Sequence, residues 1–313
     1  MGELYYLVGL PGSGKSTYAK ELENKINAVR LSSDDLRVEL YGNINNQDNN
    51  TELFQEMNRR TKLALKSGRN VIYDATNINS KKRKGFLSQL PNDINKTCIY
   101  FAERKDACVA RDLQRGRSVT KEVIERMYKQ LQVPMYHEGW DNIEIVTCVQ
   151  YQRDIWLFDK IESYEDYIRL IKYAFEVDNV EMAQDTPYHT LSVGRHMYYA
   201  YNYVVNCNIQ HSRNLEIAAL LHDIGKPYCK VFNGKYASFY GHENISAQDA
   251  ILFLKRYGFE DSDIIHIATL IQLHMRLHDK EWGSKKKERF AYELGENLYN
   301  ELVILNNADS SAR

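Results

Sequence analysis

Two sets of residues in this 313-residue sequence have the types and spacing that phosphate chemistry needs. The first is Gly9-Leu10-Pro11-Gly12-Ser13-Gly14-Lys15-Ser16-Thr17, directly after the apolar run Leu4-Tyr5-Tyr6-Leu7-Val8. Glycines at 9, 12 and 14 let backbone N–H groups converge on anionic oxygens with no Cβ in the way. A helix starting near Lys15 adds positive potential at its N-terminus. In this GxxxxGK[ST] pattern Lys15 reaches the β- and γ-phosphates and the Ser16 hydroxyl binds Mg²⁺, with Ser13 and Thr17 completing the loop. A strand before it and an amphipathic segment after it (Tyr18, Leu22, Ile26) frame the loop as the chemistry requires. The pattern implies a nucleoside-triphosphate site, with ATP and Mg²⁺ as expected cofactors.

Three segments extend that site. Leu31-Ser32-Ser33-Asp34-Asp35-Leu36-Arg37 follows the second apolar run, and ligands of parallel sheets sit beyond the carboxyl ends of strands. Asp34 can there accept the proton of an attacking hydroxyl. Arg37, one helical turn on, can hold an acceptor phosphate bidentately. Ser32, Ser33 and Asp34 also suit a helix N-cap, a role compatible with a base at Asp34. Val71-Ile72-Tyr73-Asp74 closes a strand with a carboxylate. The loop at residue 9 tips Asp74 from a plain strand end towards support of Mg²⁺ or its water. In Arg111-Asp112-Leu113-Gln114-Arg115-Gly116-Arg117 the arginines lack alternating acidic partners. Arg111 and Arg115 read as part of a lid that closes over the transferring phosphoryl group, with a solvated helix as the competing reading.

The second set lies in the other half. Of nine histidines only His137 precedes residue 189. The pair His222-Asp223 ends an apolar helical pattern that Gly225 and Pro227 stop. His196, His242 and His274 stand in other helical segments, and Asp309 comes late. One histidine on an apolar face is usually a packed core residue. Four around a His-Asp dipeptide, closed by a late Asp, suit a bound divalent cation. His189 is left to support that set from behind, and His278, one turn after His274, to face solvent.

The elements that must position these residues differ between the halves. Strand patterns at 4–8, 28–31, 70–74, 97–101 and 143–149 alternate with helical ones at 15–26, 52–67, 80–89, 106–115 and 120–132. Alternation of this kind predicts an α/β domain: a parallel sheet with helices on both faces. Asn50 or Thr51 can cap the second helix and Gly68 can end it. The polar stretch 42–50 reads as a mobile loop. Beyond residue 150 apolar positions recur at helical spacing over 163–178, 190–206, 213–223, 244–257 and 262–278, with a possible hairpin at 231–239 around Asn233-Gly234. The expected division is an α/β domain over 1–152 and an all-α domain over 153–313, with 153–180 as a connecting helical segment.

Composition narrows the class. With 43% hydrophobic and 27% charged residues the chain reads as globular, and a net charge of −1 supplies no global field towards nucleic acid or membrane. No apolar stretch approaches the ~20 residues of a membrane span, and the start has neither a basic n-region nor a myristoylation pattern. Five widely spaced cysteines make no CxxC pair and read as reduced thiols of a cytoplasmic protein. The basic run Lys81-Lys82-Arg83-Lys84 can contact backbone phosphates, but a solvated helix face is the favoured reading.

The set GLPGSGKS, SSDDLR, VIYDATN and RDLQRGR resembles the kinase module of bacteriophage and bacterial 5′-hydroxyl polynucleotide kinases, over about residues 1–150. The resemblance implies Asp34 as general base, Arg37 on the acceptor phosphate, and Arg111 and Arg115 as lid arginines. The pattern H…HD…H…H…D resembles the HD-domain metal-dependent phosphohydrolases over about 180–313. That likeness implies one metal on His196, His222, Asp223 and Asp309, and a second site completed by His242 and His274. A metal there lowers the pKa of water and polarises a phosphoryl oxygen, and Lys226 can steady the phosphate. Mn²⁺, Ni²⁺, Co²⁺, Fe²⁺ or Mg²⁺ all suit the set.

Together the modules resemble bifunctional end-healing enzymes of nucleic-acid repair. That implies RNA or DNA ends as substrates: a 5′-OH to be phosphorylated and a 2′,3′-cyclic phosphate or 3′-phosphate to be hydrolysed, with a ligase acting downstream and no membrane partner. Two other readings remain open. One is a small-molecule or nucleoside kinase fused to an HD nucleotide phosphohydrolase. The other is an ATP-regulated HD phosphohydrolase with no kinase acceptor.

Overall fold

The computed structural model describes residues 2–114, 119–150, 161–175, 177, 179–279 and 282–312. It divides into two units, Met1–Cys148 and Val149–Arg313. The boundary expected at 152/153 falls within 151–160, outside the described residues, and so does Arg115.

In the first unit the elements are β1 (Leu4–Gly9), α1 (Lys15–Ile26), β2 (Val29–Ser32), α2 (Ser33–Tyr41), α3 (Asn50–Lys66), β3 (Val71–Asp74), α4 (Ser80–Leu87), β4 (Lys96–Phe101), α5 (Lys105–Leu113), α6 (Lys121–Gln130) and β5 (Asn142–Val146), with a 3₁₀ turn at Tyr136–Glu138. The five strands run parallel in the order β2-β3-β1-β4-β5. Side chains alternate across the sheet with the strand period of two. Leu7, Ile72, Ile99 and Phe101 pack with Ala19 of α1 on one face. Tyr6 and Tyr73 stack on the other, 4.5 Å apart, against Phe86 of α4 and Trp140. Both faces are thus covered by helices, and β1 lies centrally so that its carboxyl end opens into the glycine loop.

Three details differ from the sequence expectation. The helix α2, suggested in the sequence only by its N-cap residues, has no counterpart among the periodic helical spans, because only Leu36 and Arg37 of its nine residues are buried and no apolar stripe announces it. It starts because the Ser32 hydroxyl accepts from the N–H groups of Asp34 and Asp35. The last strand ends at Val146 rather than 149, at its pairing with Phe101, the final residue of β4. The basic run is split in character: Lys81 and Lys82 face solvent, but Arg83 is 1% exposed. Its guanidinium donates to both Glu138 oxygens at 2.7 and 2.6 Å and to the Val133 carbonyl, while Trp140 Nε1 and the Ser80 hydroxyl donate to the same carboxylate. That buried, hydrogen-bonded pair ties α4 to the segment before β5.

The second unit holds α7 (Tyr164–Phe175), α8 (Val193–Asn206), α9 (Arg213–Leu221), the short α10 (Lys226–Cys229), a hairpin β6 (Val231–Asn233) and β7 (Tyr236–Ser238), α11 (His242–Arg256), α12 (Asp261–Leu273), a 3₁₀ turn His274–His278, α13 (Ser284–Leu294) and α14 (Glu296–Ser311). Every residue of α9 from Ile217 to Leu221 is buried, which makes it the axis of the bundle. Sequence periodicity does not announce α13 or α14. The first buries only Leu294, and the buried stripe of the second (Glu301, Leu302, Leu305, Ala308, Asp309) carries two carboxylates. Among the described residues no helix is long and apolar enough to cross a membrane.

Candidate active sites

The glycine loop joins β1 to α1 with Gly12 at φ 79° and Gly14 at φ 95°, backbone that favours glycine. Gly12 has a second constraint: a Cβ there would lie 2.3 Å from the Cys108 carbonyl oxygen of α5. The loop is therefore a cradle that only glycine fits, suited to the phosphate oxygens of a nucleotide. Lys15 is buried, and its ammonium donates to the Gly9 and Leu10 carbonyls at 3.0 and 2.6 Å.

A cleft of about 330 Å³ opens beside it, lined by Gly12, Ser13, Gly14, Lys15, Ser16, Asp34, Arg37, Asp74 and Asp112, among others. Gly9 and Thr17 do not line it. Asp34 stands at its edge, half exposed, 3.1 Å from Arg37 Nη1. The buried Arg37 also donates to the Asn46 carbonyl (3.1 Å) and to Asn50 Oδ1 (2.7 Å). The polar stretch 42–50 is thus an ordered brace: Asn43 and Asn46 fold it through side-chain turns, and its end grips Arg37. In this arrangement the Arg37 fork holds Asp34 and the brace while its side chain lines the cleft.

Asp74 is buried at the end of β3. Burial pushes its carboxyl up, against the pull of Lys15 and Arg30 and a hydrogen bond from Ser16. Those are the two groups, Ser16 and Asp74, expected to support Mg²⁺. Arg30 was missed by sequence reasoning. It reaches Asp74 (3.3 Å), Asp35 (2.5 Å) and Glu23 (3.3 Å), a role set by strand register that has no motif. Asp112 was also passed over. It is buried and its Oδ2 accepts from the Val119 N–H at 2.7 Å. Arg111 pairs with Glu103 at 3.1 Å and donates to the Gly12 carbonyl, outside the lining of the cleft.

The second site is a cage of imidazoles. His196 lies on α8, His222-Asp223 just beyond α9, His242 at the first turn of α11, His274 at the end of α12, and Asp309 on α14. All six residues are buried. Each histidine places Nδ1 against a backbone carbonyl: His196 on Ala312, His222 on Ala219, His242 on Phe239 and His274 on Ile271. With Nδ1–H donated outward, the Nε2 lone pairs face inward. They meet in pairs, His196–His222 at 3.2 Å and His242–His274 at 3.3 Å.

The Asp223 carboxylate spans both pairs. Its Oδ2 lies 3.2 and 3.4 Å from His196 and His222, and its Oδ1 lies 3.1 and 3.7 Å from His242 and His274. Asp309 Oδ1 adds a contact to His196 at 2.9 Å. Four inward lone pairs and two carboxylates repel one another unless positive charge sits among them. The electrostatics say the same. Burial alone would drive His196 down, but the carboxylates of Asp223 and Asp309 override it and raise it to about 9. Burial and the neighbouring His222 push His274 down to about 3, so it stays a neutral donor. The donor set fits divalent cations: one group is His196, His222, Asp223 and Asp309, the other Asp223, His242 and His274.

Close packing builds the cage. A Cβ on Gly225 would lie 2.6 Å from the His242 carbonyl oxygen, and the Gly225 N–H donates to Ser246 Oγ at 2.9 Å. Gly225 has ordinary helical φ (−79°), so its role is to let the chain after Asp223 touch α11 rather than to stop the helix by a left-handed turn. Lys226 is buried with Nζ 2.6 Å from Asp223 Oδ2 and 2.8 Å from Gln184 Oε1; burial pushes the Asp223 carboxyl up, but Lys226 together with His222, His196 and His242 overrides it and holds it well below the usual carboxylate range.

A cleft of about 580 Å³ leads to Asp223, Lys226, His242, His274 and Asp309, with His196 and His222 behind them. His278 was expected to face solvent. Instead its Nε2 lies 2.6 Å from Asp309 Oδ2 and its ring lines the cleft, because the last turn of α12 tightens to 3₁₀ and rotates it inward. His189 also lines the cleft, edge-on to His196, and burial beside Lys226 lowers it to about 4.

Comparison with known proteins finds one family match on each side of residues 135–186. Residues 4–134 match the family model described as AAA domain, and residues 187–313 the one described as HD domain. An L-seryl-tRNA(Sec) kinase of Methanococcus maripaludis is 30% identical over 156 residues, 46% of this chain and 58% of that protein. One chain of a Pnkp1/Rnl/Hen1 RNA repair complex is 28% identical, covering 42% of this chain and 44% of that one at a TM-score of 0.38. A fungal RNA kinase is 15% identical over 58% of this chain and 47% of its own, at a TM-score of 0.36. The chain spans less than two thirds of the length of each of these three.

Proposed function

We propose, from a P-loop kinase-type domain followed by an HD domain in one chain, an enzyme that works on both ends of a nucleic-acid break. The first domain phosphorylates a 5′-hydroxyl end with ATP, and the second hydrolyses a 2′,3′-cyclic phosphate or 3′-phosphate. The observation that carries this is the presence, on one chain, of a carboxylate beside a phosphate loop and a separate buried cage suited to cations. An acceptor on RNA is supported by the likeness of part of the chain to an L-seryl-tRNA(Sec) kinase.

In the kinase cleft the glycine-loop amides and Lys15 hold the triphosphate, and Ser16 with Asp74 would hold Mg²⁺. Asp34 takes the proton of the acceptor hydroxyl as its oxygen bonds the γ-phosphorus and ADP leaves. Arg37, braced by Asn46 and Asn50, keeps Asp34 in place. In the cage, His196, His222, Asp223, His242, His274 and Asp309 would hold divalent cations, which supply Lewis acidity and lower the pKa of water. Lys226 steadies Asp223 and offers positive charge to the phosphoester at the cleft floor. The products, a 5′-phosphate and a 3′-hydroxyl, are the ends that a ligase joins.

Incubation with γ-labelled ATP, Mg²⁺ and 5′-OH RNA and DNA oligonucleotides tests the first half. Label is expected at the 5′ end. Transfer confined to nucleosides, sugars or a seryl-tRNA would replace this acceptor with another, and no transfer to any of them would leave ATP binding as a regulatory device. The second half is tested with oligonucleotides bearing a 2′,3′-cyclic phosphate or a 3′-phosphate, scored for a 3′-hydroxyl product in the presence of Mn²⁺, Ni²⁺, Co²⁺, Fe²⁺ or Mg²⁺.

A further inference from the structure

The mouth of the cage cleft carries aromatic surface that neither phosphate chemistry nor packing uses. Tyr188 is 71% exposed and Tyr240 is 86% exposed, and both line the cleft with Met275. Among the described residues neither ring has a hydrogen-bond, stacking or cation partner. The floor of the same cleft is the cage: Asp223, His242, His274 and Asp309, with Lys226 beside them. A polar, cation-suited floor under an aromatic rim is the layout for a ligand charged at one end and flat at the other. A volume of about 580 Å³ accommodates one nucleotide.

Both tyrosines are fixed to the cage by backbone. Tyr240 is the second residue of a turn from Phe239 to His242, closed by the His242 N–H on the Phe239 carbonyl at 3.1 Å. Gly241 follows at φ 83°, ψ 7°, the third position of a type II turn. The ring of Tyr240 is therefore held two residues before an imidazole of the cage. Tyr188 sits in the bridge between Thr186 and His189, where the Thr186 hydroxyl accepts from the N–H groups of Tyr188 and His189. His189 in turn packs edge-on to His196. The two rings are thus presented by short turns that end at His242 and His189, beside the cage.

We propose that Tyr188 and Tyr240 form a stacking platform for the nucleobase of the terminal nucleotide, so that the HD site selects nucleobase-bearing phosphoesters over base-free ones. The proposal rests on the reading of the cage as a phosphoester site. Stacking tolerates any base, since each has a π-face, so the platform selects a nucleotide end without reading its sequence.

The test is calorimetric binding of the non-hydrolysable phosphonate analogues of adenosine 3′-monophosphate and of base-free ribose 3-phosphate to the full chain, with Mn²⁺ added and the phosphate loop saturated with ADP. Tyr240→Leu and Tyr188→Leu keep apolar bulk but remove the ring, and the exposure of both positions leaves folding untouched. Each is expected to weaken the nucleotide roughly tenfold or more, with ribose phosphate unchanged and Tyr240→Phe restoring the wild-type value. Equal weakening of both ligands, or no weakening of the nucleotide, would overturn the platform. The readout is binding, so it stands whether or not the cage hydrolyses an ester. Absence of hydrolysis with base-dependent binding would remove the proposed reaction and keep the platform.

Discussion

The two sites solve phosphate chemistry in opposite ways. At the glycine loop the working groups come from one loop and the strand ends beside it, and backbone conformation carries most of the design. Its charged side chains are held by arginines of neighbouring segments: Asp34 by Arg37, and Asp74 by Arg30. At the cage the donors come from segments 113 positions apart (196 to 309), all buried, each imidazole aimed by a carbonyl of the bundle. A backbone cradle depends on local geometry and tolerates motion around it. A cage of side chains depends on every helix–helix distance, and is only as accurate as the packing behind it.

That contrast can be broken by experiment. The largest expected effect is at the ligands: His222→Ala or Asp223→Ala should reduce phosphohydrolysis by several orders of magnitude and empty the metal content read by elemental analysis. ATP-dependent labelling should stay within about twofold, because the two sites belong to separately packed units. Loss of both activities in a folded protein would merge the two sites into one.

Next, Asp34→Ala should slow transfer on the order of 10²–10⁴-fold while ATP binding is retained, the signature of a lost general base. Weakened ATP binding of equal size would instead make Asp34 part of the cradle.

Gly225→Ala puts a Cβ 2.6 Å from the His242 carbonyl. It should destabilise the second unit by about 1–3 kcal/mol, seen by calorimetry, and lower its metal affinity, with labelling unchanged. An unaltered metal affinity would show that the cage is not set by this contact.

The smallest effect is at the brace. Asn50→Ala removes the hydrogen bond from the charged Arg37, a loss of about 1.5–3 kcal/mol at most, and two exposed ones to Gln47. Part of it should appear as a few-fold drop in kcat with little change in KM for ATP. Its partner measurement, chelation of the metal, should lower the unfolding temperature of the second unit and leave that of the first in place.

Legibility from sequence follows the same divide. The glycine loop, Asp74 and the alternation of β and α patterns could be read because each depends on neighbours in the chain. Arg30 and Asp112 could not, since their contacts are made by strand register and helix packing. The start of helix α2 was legible from its N-cap residues, but its extent was not, because only Leu36 and Arg37 of it are buried. In the second half the residue types offered the cage as a candidate, and the structure brings all six residues together. The inward turn of His278, the buried Gln184 that holds Lys226, and the reason for Gly225 have no local signal.

The amino-acid sequence alone determined where a phosphate loop must form and which half would be sheet and which helix, because glycine permissiveness and hydrophobic period act over a few neighbouring residues. Tertiary structure alone decided that Asp223 faces both imidazole pairs, that Arg37 is locked to the asparagine brace and that two tyrosines stand at the cleft mouth. Those relations depend on angstrom-scale distances between segments far apart in the chain, and only the close packing of a folded interior sets such distances.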